Sequence, residues 1–325
     1  MPNLSNKIEK LSNFVGNTPL VKITAEIDGK EVVIYAKYEA WNFSGSIKDR
    51  MAIQILRSAE NLSQFKQGDS IVEATSGNTG ISFAAMGAYL GSKVHIYMPD
   101  WLSEERKSLL RFYGAELFEI SEKEGGFARC IELAAIKSKK KGFFGPKQFN
   151  NVWNVFSHMN STAPELQKTV KEYNLAEVGV FVAGAGTGGT VMGLHHYYND
   201  RNPNFIAFPV FPENNVDGGH RIEGIGDSFI PDILDLSVLG KPVRISDSDA
   251  INVSRQLNKL GLSVGISSGA NVFASMLKAS ELEDDRLTVT VLCDDNKKYL
   301  TTDLCSDSIE ELSRDIKIID FELIS

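Results

Sequence analysis

Apolar positions along the chain switch repeatedly between two spacings, and that switching sets the expected architecture. Short runs rich in β-branched and apolar residues at 32–37, 70–74, 94–98, 116–120, 178–183, 205–211, 243–245 and 287–292 predict strands. Apolar residues three and four apart predict helices over 49–60, 104–113, 125–140, 162–173 and 247–260. Further helices start within 75–80, after 190 and within 264–270. Near the beginning, a Gly/Asn/Pro turn at 15–21 leads into a short strand ending near Ile23. Strands that alternate with helices predict a parallel sheet covered on both faces. The alternation runs twice, interrupted by an irregular passage over 142–160 read as the crossing between two domains. At 325 residues the chain is long for a single core, which agrees with that division.

Composition narrows the classes. A hydrophobic content of 42% is ordinary for a soluble globular protein. A formal net charge of −8 gives no electrostatic reason to expect nucleic acid or an anionic membrane as partner. The lysines at 137, 139, 140 and 141 close an amphipathic helix, where cations suit the helix dipole. Three cysteines, Cys130, Cys293 and Cys305, are an odd number without metal-ligand spacing, which suggests a reducing compartment and no disulfide framework, and no metal site is expected. No signal-peptide core and no apolar run of about 18 residues occurs, so a cytoplasmic location is expected.

Three stretches carry candidate chemistry. Lys48 lies in Asn42-Phe43-Ser44-Gly45-Ser46-Ile47-Lys48-Asp49-Arg50, a small-residue turn between a strand and a helix that its serines can cap. At a helix N-terminus, partial burial and the positive dipole both favour a neutral amine able to form a Schiff base. On this stretch alone a solvated lysine in a first helical turn is the simpler reading, and the motifs downstream overturn it. Gly184-Ala185-Gly186-Thr187-Gly188-Gly189-Thr190 follows a strand and enters a helix, which suits a phosphate approached by unencumbered backbone N–H groups. No lysine follows its last glycine and the glycines are too close for a dinucleotide fingerprint, so neither common nucleotide motif is present. Thr75-Ser76-Gly77-Asn78-Thr79-Gly80 is a second helix start crowded with hydroxyls, suited to a carboxylate. His195 and His196 have no matched carboxylate and read as structural.

These stretches, followed by Gly265-Ile266-Ser267-Ser268-Gly269, occur in the order seen in fold-type II pyridoxal-phosphate enzymes. Within that group the chain resembles the cysteine synthase (O-acetylserine sulfhydrylase) and cystathionine β-synthase family from about Val15 to Thr302. The resemblance implies an α/β, tryptophan synthase β-like architecture of two domains, each a mostly parallel sheet flanked by helices. It sets an N-terminal domain at 46–152, with a mobile part at about 85–140, against a larger domain of 1–45 plus 153–325.

It further implies pyridoxal 5'-phosphate as cofactor and Lys48 as the catalytic, Schiff-base lysine that moves the α-proton. Asn78 meets the cofactor's phenolic oxygen, Gly186, Thr187, Gly188, Gly189 and Thr190 its phosphate, and Ser267 its pyridine nitrogen. Thr75, Ser76, Thr79 and Gln148 receive the substrate carboxylate, with Gly224, Glu223 and Asp227 near the mouth. A hydroxyl partner leaves the pyridine nitrogen unprotonated, which favours elimination over chemistry needing a long-lived carbanion. The implied reaction is β-replacement on a serine-type amino acid through an aminoacrylate.

Cysteine synthesis from O-acetyl-L-serine and sulfide is the first expectation. Glu223, where sulfide users carry a neutral residue, and Asp227 favour a serine- or cysteine-using alternative that makes cystathionine or releases hydrogen sulfide, because close carboxylates repel hydrosulfide. A catalytically idle homologue acting as a binding or regulatory subunit is the third reading, opposed by intact Lys48, Asn78, Gln148 and Ser267. A homodimer is expected by resemblance, and docking of a serine acetyltransferase stays open. The chain departs from the family pattern at Phe43 and Cys293, where proline is common, and at Ala163, where glycine is. His158 matches a position beside the site, where a structural histidine fits as well. The length leaves no room for a cystathionine synthase regulatory domain, and no haem-ligand pair is evident.

Overall fold

A computed structural model of the chain describes residues 3–214, 219–226, 229–282, 284–306 and 312–325. In chain order the first elements are α1 (Leu4–Ser12), β1 (Leu20–Ile27), β2 (Lys30–Tyr38), α2 (Lys48–Asn61), β3 (Ser70–Ala74), α3 (Asn78–Leu90), β4 (Val94–Pro99), α4 (Glu104–Phe112), β5 (Glu116–Ile120), α5 (Gly126–Ser138) and β6 (Phe143–Phe144). They are followed by α6 (Val152–Ser157), α7 (Ala163–Glu172), β7 (Val178–Gly184), α8 (Gly189–Asn199), β8 (Ile206–Pro212), β9 (Val243–Ile245), α9 (Asp247–Lys259), α10 (Ile266–Glu281), β10 (Leu287–Leu292) and β11 (Ile316–Leu323). The chain divides into two compact units.

The first unit holds the chain up to Gly16 together with Asn42–Asn154. Its sheet has the order β5-β4-β3-β6, with every pair parallel. Strand β4 is buried along its whole length, which explains its unbroken apolar run. Alternation along β3 sends Val72 and Ala74 to one face, where they pack with Cys130 and Ala134 of α5. Ile71 faces the other way, into a cluster with α2 and α3. The expected division set residues 1–45 with the C-terminal part, whereas contacts group residues up to Gly16 and those from Asn42 onward with the first unit. Leu4, Ile8 and Leu11 of α1 share one buried cluster with Met51, Ile55 and Leu56 of α2, and this apolar stripe draws residues 3–16 into the first unit.

The second unit holds Asn17–Trp41 and Val155–Ser325 around a seven-stranded sheet of order β11-β1-β2-β10-β7-β8-β9. Strands β2, β10, β7, β8 and β9 are parallel neighbours, while β1 runs antiparallel to both β2 and β11. The β1–β2 hairpin turns at Asp28 and Gly29, with φ of 50° and 77°. Two consecutive left-handed residues match the twist of the flanking strands. Helices α9 and α10 supply much of the apolar cover, through Ile251, Val253, Leu257, Val272 and Phe273.

In each unit the strand order reverses at one place. In the first, β3 leads outward to β4 and β5, and the chain then returns to β6 on the other side of β3. In the second, β7 leads outward to β8 and β9, and β10 returns on its other side. Loops leaving the carboxyl ends of strands at such a reversal diverge and leave a crevice suited to ligands.

Among the described residues no helix is long and apolar enough to cross a membrane. No group of three or more His, Cys, Asp or Glu side chains among them is placed to hold a metal ion.

Candidate active site

Both crevices carry residues singled out from the sequence. In the first unit, β3 ends at Ala74 and residues 75–77 turn into α3, whose first residue is Asn78. Thr75 is buried and its hydroxyl accepts from the Gly77 N–H at 3.0 Å, while Ser76 and Asn78 are half-buried. Gln148 comes from beyond β6, on the other side of the reversal. Its side-chain amide is fixed at both ends: Thr79 Oγ1 donates to Gln148 Oε1 at 2.7 Å, and Gln148 Nε2 donates to the Ala74 carbonyl at 2.9 Å. An Nε2 amide carries two protons, so one remains for an acceptor such as a carboxylate. Thr75, Thr79 and Gln148, predicted together, therefore stand together.

Lys48 is half-buried and opens α2. Ile47 is the N-cap and makes no side-chain cap bond, and a serine one residue earlier meets the helix start instead: the Lys48 N–H donates to Ser46 Oγ at 3.3 Å. The turn is tied further by Asp49, whose carboxylate accepts from the Ser44 N–H at 2.6 Å and the Ser44 hydroxyl at 2.7 Å. Gly45, at φ 83°, supplies the left-handed residue that closes the loop.

In the second unit, β7 ends at Gly184 and the glycine run enters α8 at Gly189. A Cβ placed on Gly186 would sit 2.3 Å from the Gly224 carbonyl oxygen. Gly188 has φ 82°, so the loop bends in a way that L side chains resist. Thr187 and Thr190 are buried beside this backbone. Thr190 Oγ1 lies 3.2 Å from His158 Nε2, and His158 Nδ1 lies 2.9 Å from Thr162 Oγ1, which orients the ring. The set of backbone N–H groups, two hydroxyls and a helix N-terminus fits a phosphate group.

On the other side of this reversal, Ser267 is buried in the first turn of α10. Asn271, one turn further along, accepts from the Gly184 N–H at 2.7 Å and donates to the Val291 carbonyl at 2.9 Å, so it joins β7 to β10. Gly224 is exposed at φ 88°, and Glu223 beside it is half-buried. The Gly226 N–H donates to the Ala185 carbonyl at 3.0 Å, which fastens this turn against the glycine run. Asp227 lies outside the described residues.

The sequence reading missed Asn271 and Glu73. Asn271 is four residues after Ser267, on the same helix face, and that spacing was the available signal. Glu73 is a charged residue inside an otherwise apolar strand. It is buried, with Oε1 accepting from the Ala74 N–H at 2.9 Å and Oε2 from the Gln148 N–H at 3.1 Å. Burial pushes its carboxyl up to about 7, against the opposing pull of backbone N–H donors and the Lys147 ammonium.

The family of pyridoxal-phosphate dependent enzymes matches residues 11–294. A cysteine synthase of Staphylococcus aureus is 36% identical over 306 residues, covering 92% of this chain and 97% of that protein. Cysteine synthase B of Campylobacter jejuni is 38% identical over 303 residues, with 91% and 98% covered. A hydrogen sulfide-producing enzyme of Fusobacterium nucleatum, in a variant form complexed with an α-aminoacrylate intermediate, superposes with a TM-score of 0.92 at 44% identity, covering 97% of this chain and 98% of that one. Agreement of sequence and fold over nearly the whole length shows that the chain belongs to the pyridoxal-phosphate dependent enzymes.

Proposed function

We propose that the protein catalyses β-replacement on a serine-type amino acid, with Lys48 as the proton-moving base. The reading rests chiefly on the Thr75, Thr79 and Gln148 cluster at one strand reversal, a ready carboxylate pocket within the unit that carries Lys48. Pyridoxal 5'-phosphate, when bound, supplies the electron sink that lets the Cα–H bond and the bond from Cβ to its leaving group break heterolytically. The backbone of residues 186–190 with Thr187 and Thr190 binds the phosphate, Asn78 the phenolic oxygen, and Ser267 the pyridine nitrogen. Thr75, Ser76, Thr79 and Gln148 orient the substrate by its carboxylate. The Lys48 amine takes the α-proton, holds it while the Cβ substituent departs and a nucleophile adds, and returns it to Cα.

Two choices of leaving group follow. Cysteine synthesis, with acetate leaving and sulfide adding, is supported by the curated cysteine synthases at 36% and 38% identity. Use of L-cysteine, with sulfide leaving and water or a thiol adding, is favoured by Glu223 beside Gly224, since a carboxylate there repels hydrosulfide and helps a neutral nucleophile lose its proton. The 44% identity to a hydrogen sulfide-producing enzyme supports the same direction. A homodimer is part of the proposal, supported by the exposed rings of Phe14 and Phe43, 6.2 Å apart on the first unit. So is a cytoplasmic location, which suits three free thiols.

The deciding experiment follows the cofactor's visible absorption and sulfide release while O-acetyl-L-serine, L-serine and L-cysteine are added separately to the holoenzyme. A spectral change with L-cysteine accompanied by sulfide release establishes the sulfide-releasing reaction. A change with O-acetyl-L-serine alone, reversed by sulfide, establishes cysteine synthesis. No change with any of the three refutes β-replacement.

A further inference from the structure

We propose that Glu73 is a positioning residue for substrate binding, holding the Gln148 loop to the turn that follows β3. The inference rests on the reading of Thr75, Thr79 and Gln148 as the carboxylate pocket. Those two segments approach from opposite sides of the strand reversal and have no continuous secondary structure in common. Glu73 joins them through the main chain. One carboxylate oxygen accepts from Ala74 at the end of β3, and the other from Gln148 itself.

The second segment needs such a tie. Lys147 has φ 54°, a left-handed conformation that a lysine adopts at a cost, so residues 147–148 depend on outside bonds to keep their course. Asn154 adds support by donating to the Gln148 carbonyl at 3.0 Å. With its main chain fixed, the Gln148 side chain spans from the Ala74 carbonyl to the Thr79 hydroxyl and keeps its second amide proton for the ligand. Above about pH 7, where it is ionised, the carboxylate suits the task because both oxygens are acceptors only. A glutamine of the same shape turns an amino group toward one of the backbone donors and leaves that donor without its acceptor. Aspartate keeps the charge and draws it back from Gln148 by one methylene.

The test compares Glu73→Gln, Glu73→Asp, Gln148→Ala and the double variant Glu73→Gln/Gln148→Ala, all as holoenzyme. Each single variant is expected to raise KM for the amino-acid substrate by roughly tenfold or more, with kcat changed far less. The cofactor's visible band and its retention on dialysis stay those of the parent. The double variant is expected to be little worse than Gln148→Ala, because Glu73 acts through Gln148. If Gln148→Ala raises KM while both Glu73 variants leave it unchanged, the positioning role is wrong and the carboxylate pocket stands. Loss of the visible band in the Glu73 variants also overturns the role, since the residue then serves the fold as a whole. An unchanged KM in Gln148→Ala overturns the carboxylate pocket and the inference with it.

Discussion

Replacing Gly186 by alanine tests whether the glycine run is a cradle with no room to spare. The new methyl carbon would lie 2.3 Å from the Gly224 carbonyl oxygen and 3.2 Å from its carbon. That is about 1 Å inside an ordinary C···O contact. The obstacle is backbone, and rotation of a side chain cannot relieve it. The Gly224 turn is itself fastened, by the Gly226 N–H bond to Ala185 and by the buried side chain of Ile225. Overpacking of this kind costs about 1–3 kcal/mol. For a unit of this size that corresponds to a fall in Tm of roughly 2–4 °C per kcal/mol. Displacing the loop by such a distance also weakens the backbone bonds offered to the phosphate, each charge-assisted bond being worth about 1.5–3 kcal/mol. Cofactor affinity should therefore fall at least tenfold, about 1.4 kcal/mol. Thermal melts with and without pyridoxal 5'-phosphate, together with equilibrium dialysis of the cofactor, measure both effects. A variant that melts with the parent and binds cofactor equally well refutes the reasoning.

Lys48→Ala should lose turnover by several orders of magnitude and lose the absorption band of lysine-bound cofactor, yet retain cofactor through its phosphate. Turnover within tenfold of the parent ends the assignment of Lys48 as base. The carboxyl of Glu73 is raised from 4.5 to about 7 in the folded chain, so between those values the native state holds a proton that the unfolded chain has lost. Stability must then fall as pH rises through that window, by about 3 kcal/mol at ~1.36 kcal/mol per unit. Denaturant midpoints at pH 5 and pH 8 should converge in Glu73→Gln relative to the parent, and equal pH dependence in the two contradicts the linkage. Burial pushes the Cys130 thiol up to about 12, whereas Cys305 is exposed. A disulfide reagent at pH 8 should label Cys305 quickly and Cys130 only on unfolding, because the Cys130 thiolate fraction is then on the order of 10⁻⁴. Labelling of Cys130 at the unfolded-chain rate in the native protein contradicts its burial.

The parts of this fold that were legible in the sequence are those set by local pattern. The strand at 70–74 and the helix that opens beside Lys48 follow from apolar spacing and from turn residues close in the chain. The close backbone approach at Gly186 was legible because it demands the absence of a side chain, and a missing side chain is visible as a letter. What stayed hidden depended on partners far apart in the chain. No spacing indicates that β6 returns beside β3, so nothing shows that Glu73 meets Gln148, although both residues were in view. Strand β11 was missed for a related reason. Its alternation of Ile316 and Ile318 with Lys317 is short and charged, and it becomes a strand through pairing with β1, nearly three hundred residues earlier. Helix α1 is polar on average and declares itself only through three positions, Leu4, Ile8 and Leu11, that find a partner surface on α2.

Strand β11 has a practical bearing on how the protein can be handled. It covers one margin of the seven-stranded sheet, and its pairing with β1 extends from Ile27↔Ile316 to Val21↔Leu323. Its exposed positions carry Lys317, Asp320 and Glu322 beside Ile319 and Leu323, and the charges discourage a further strand from adding there. A chain cut before Ile316 would exchange this guarded margin for β1, whose residues Val21, Ile23, Ala25 and Ile27 are buried. Shortening the chain by its last ten residues is thus a route to self-association through open strand edges, and purification tags on that side belong beyond Ser325.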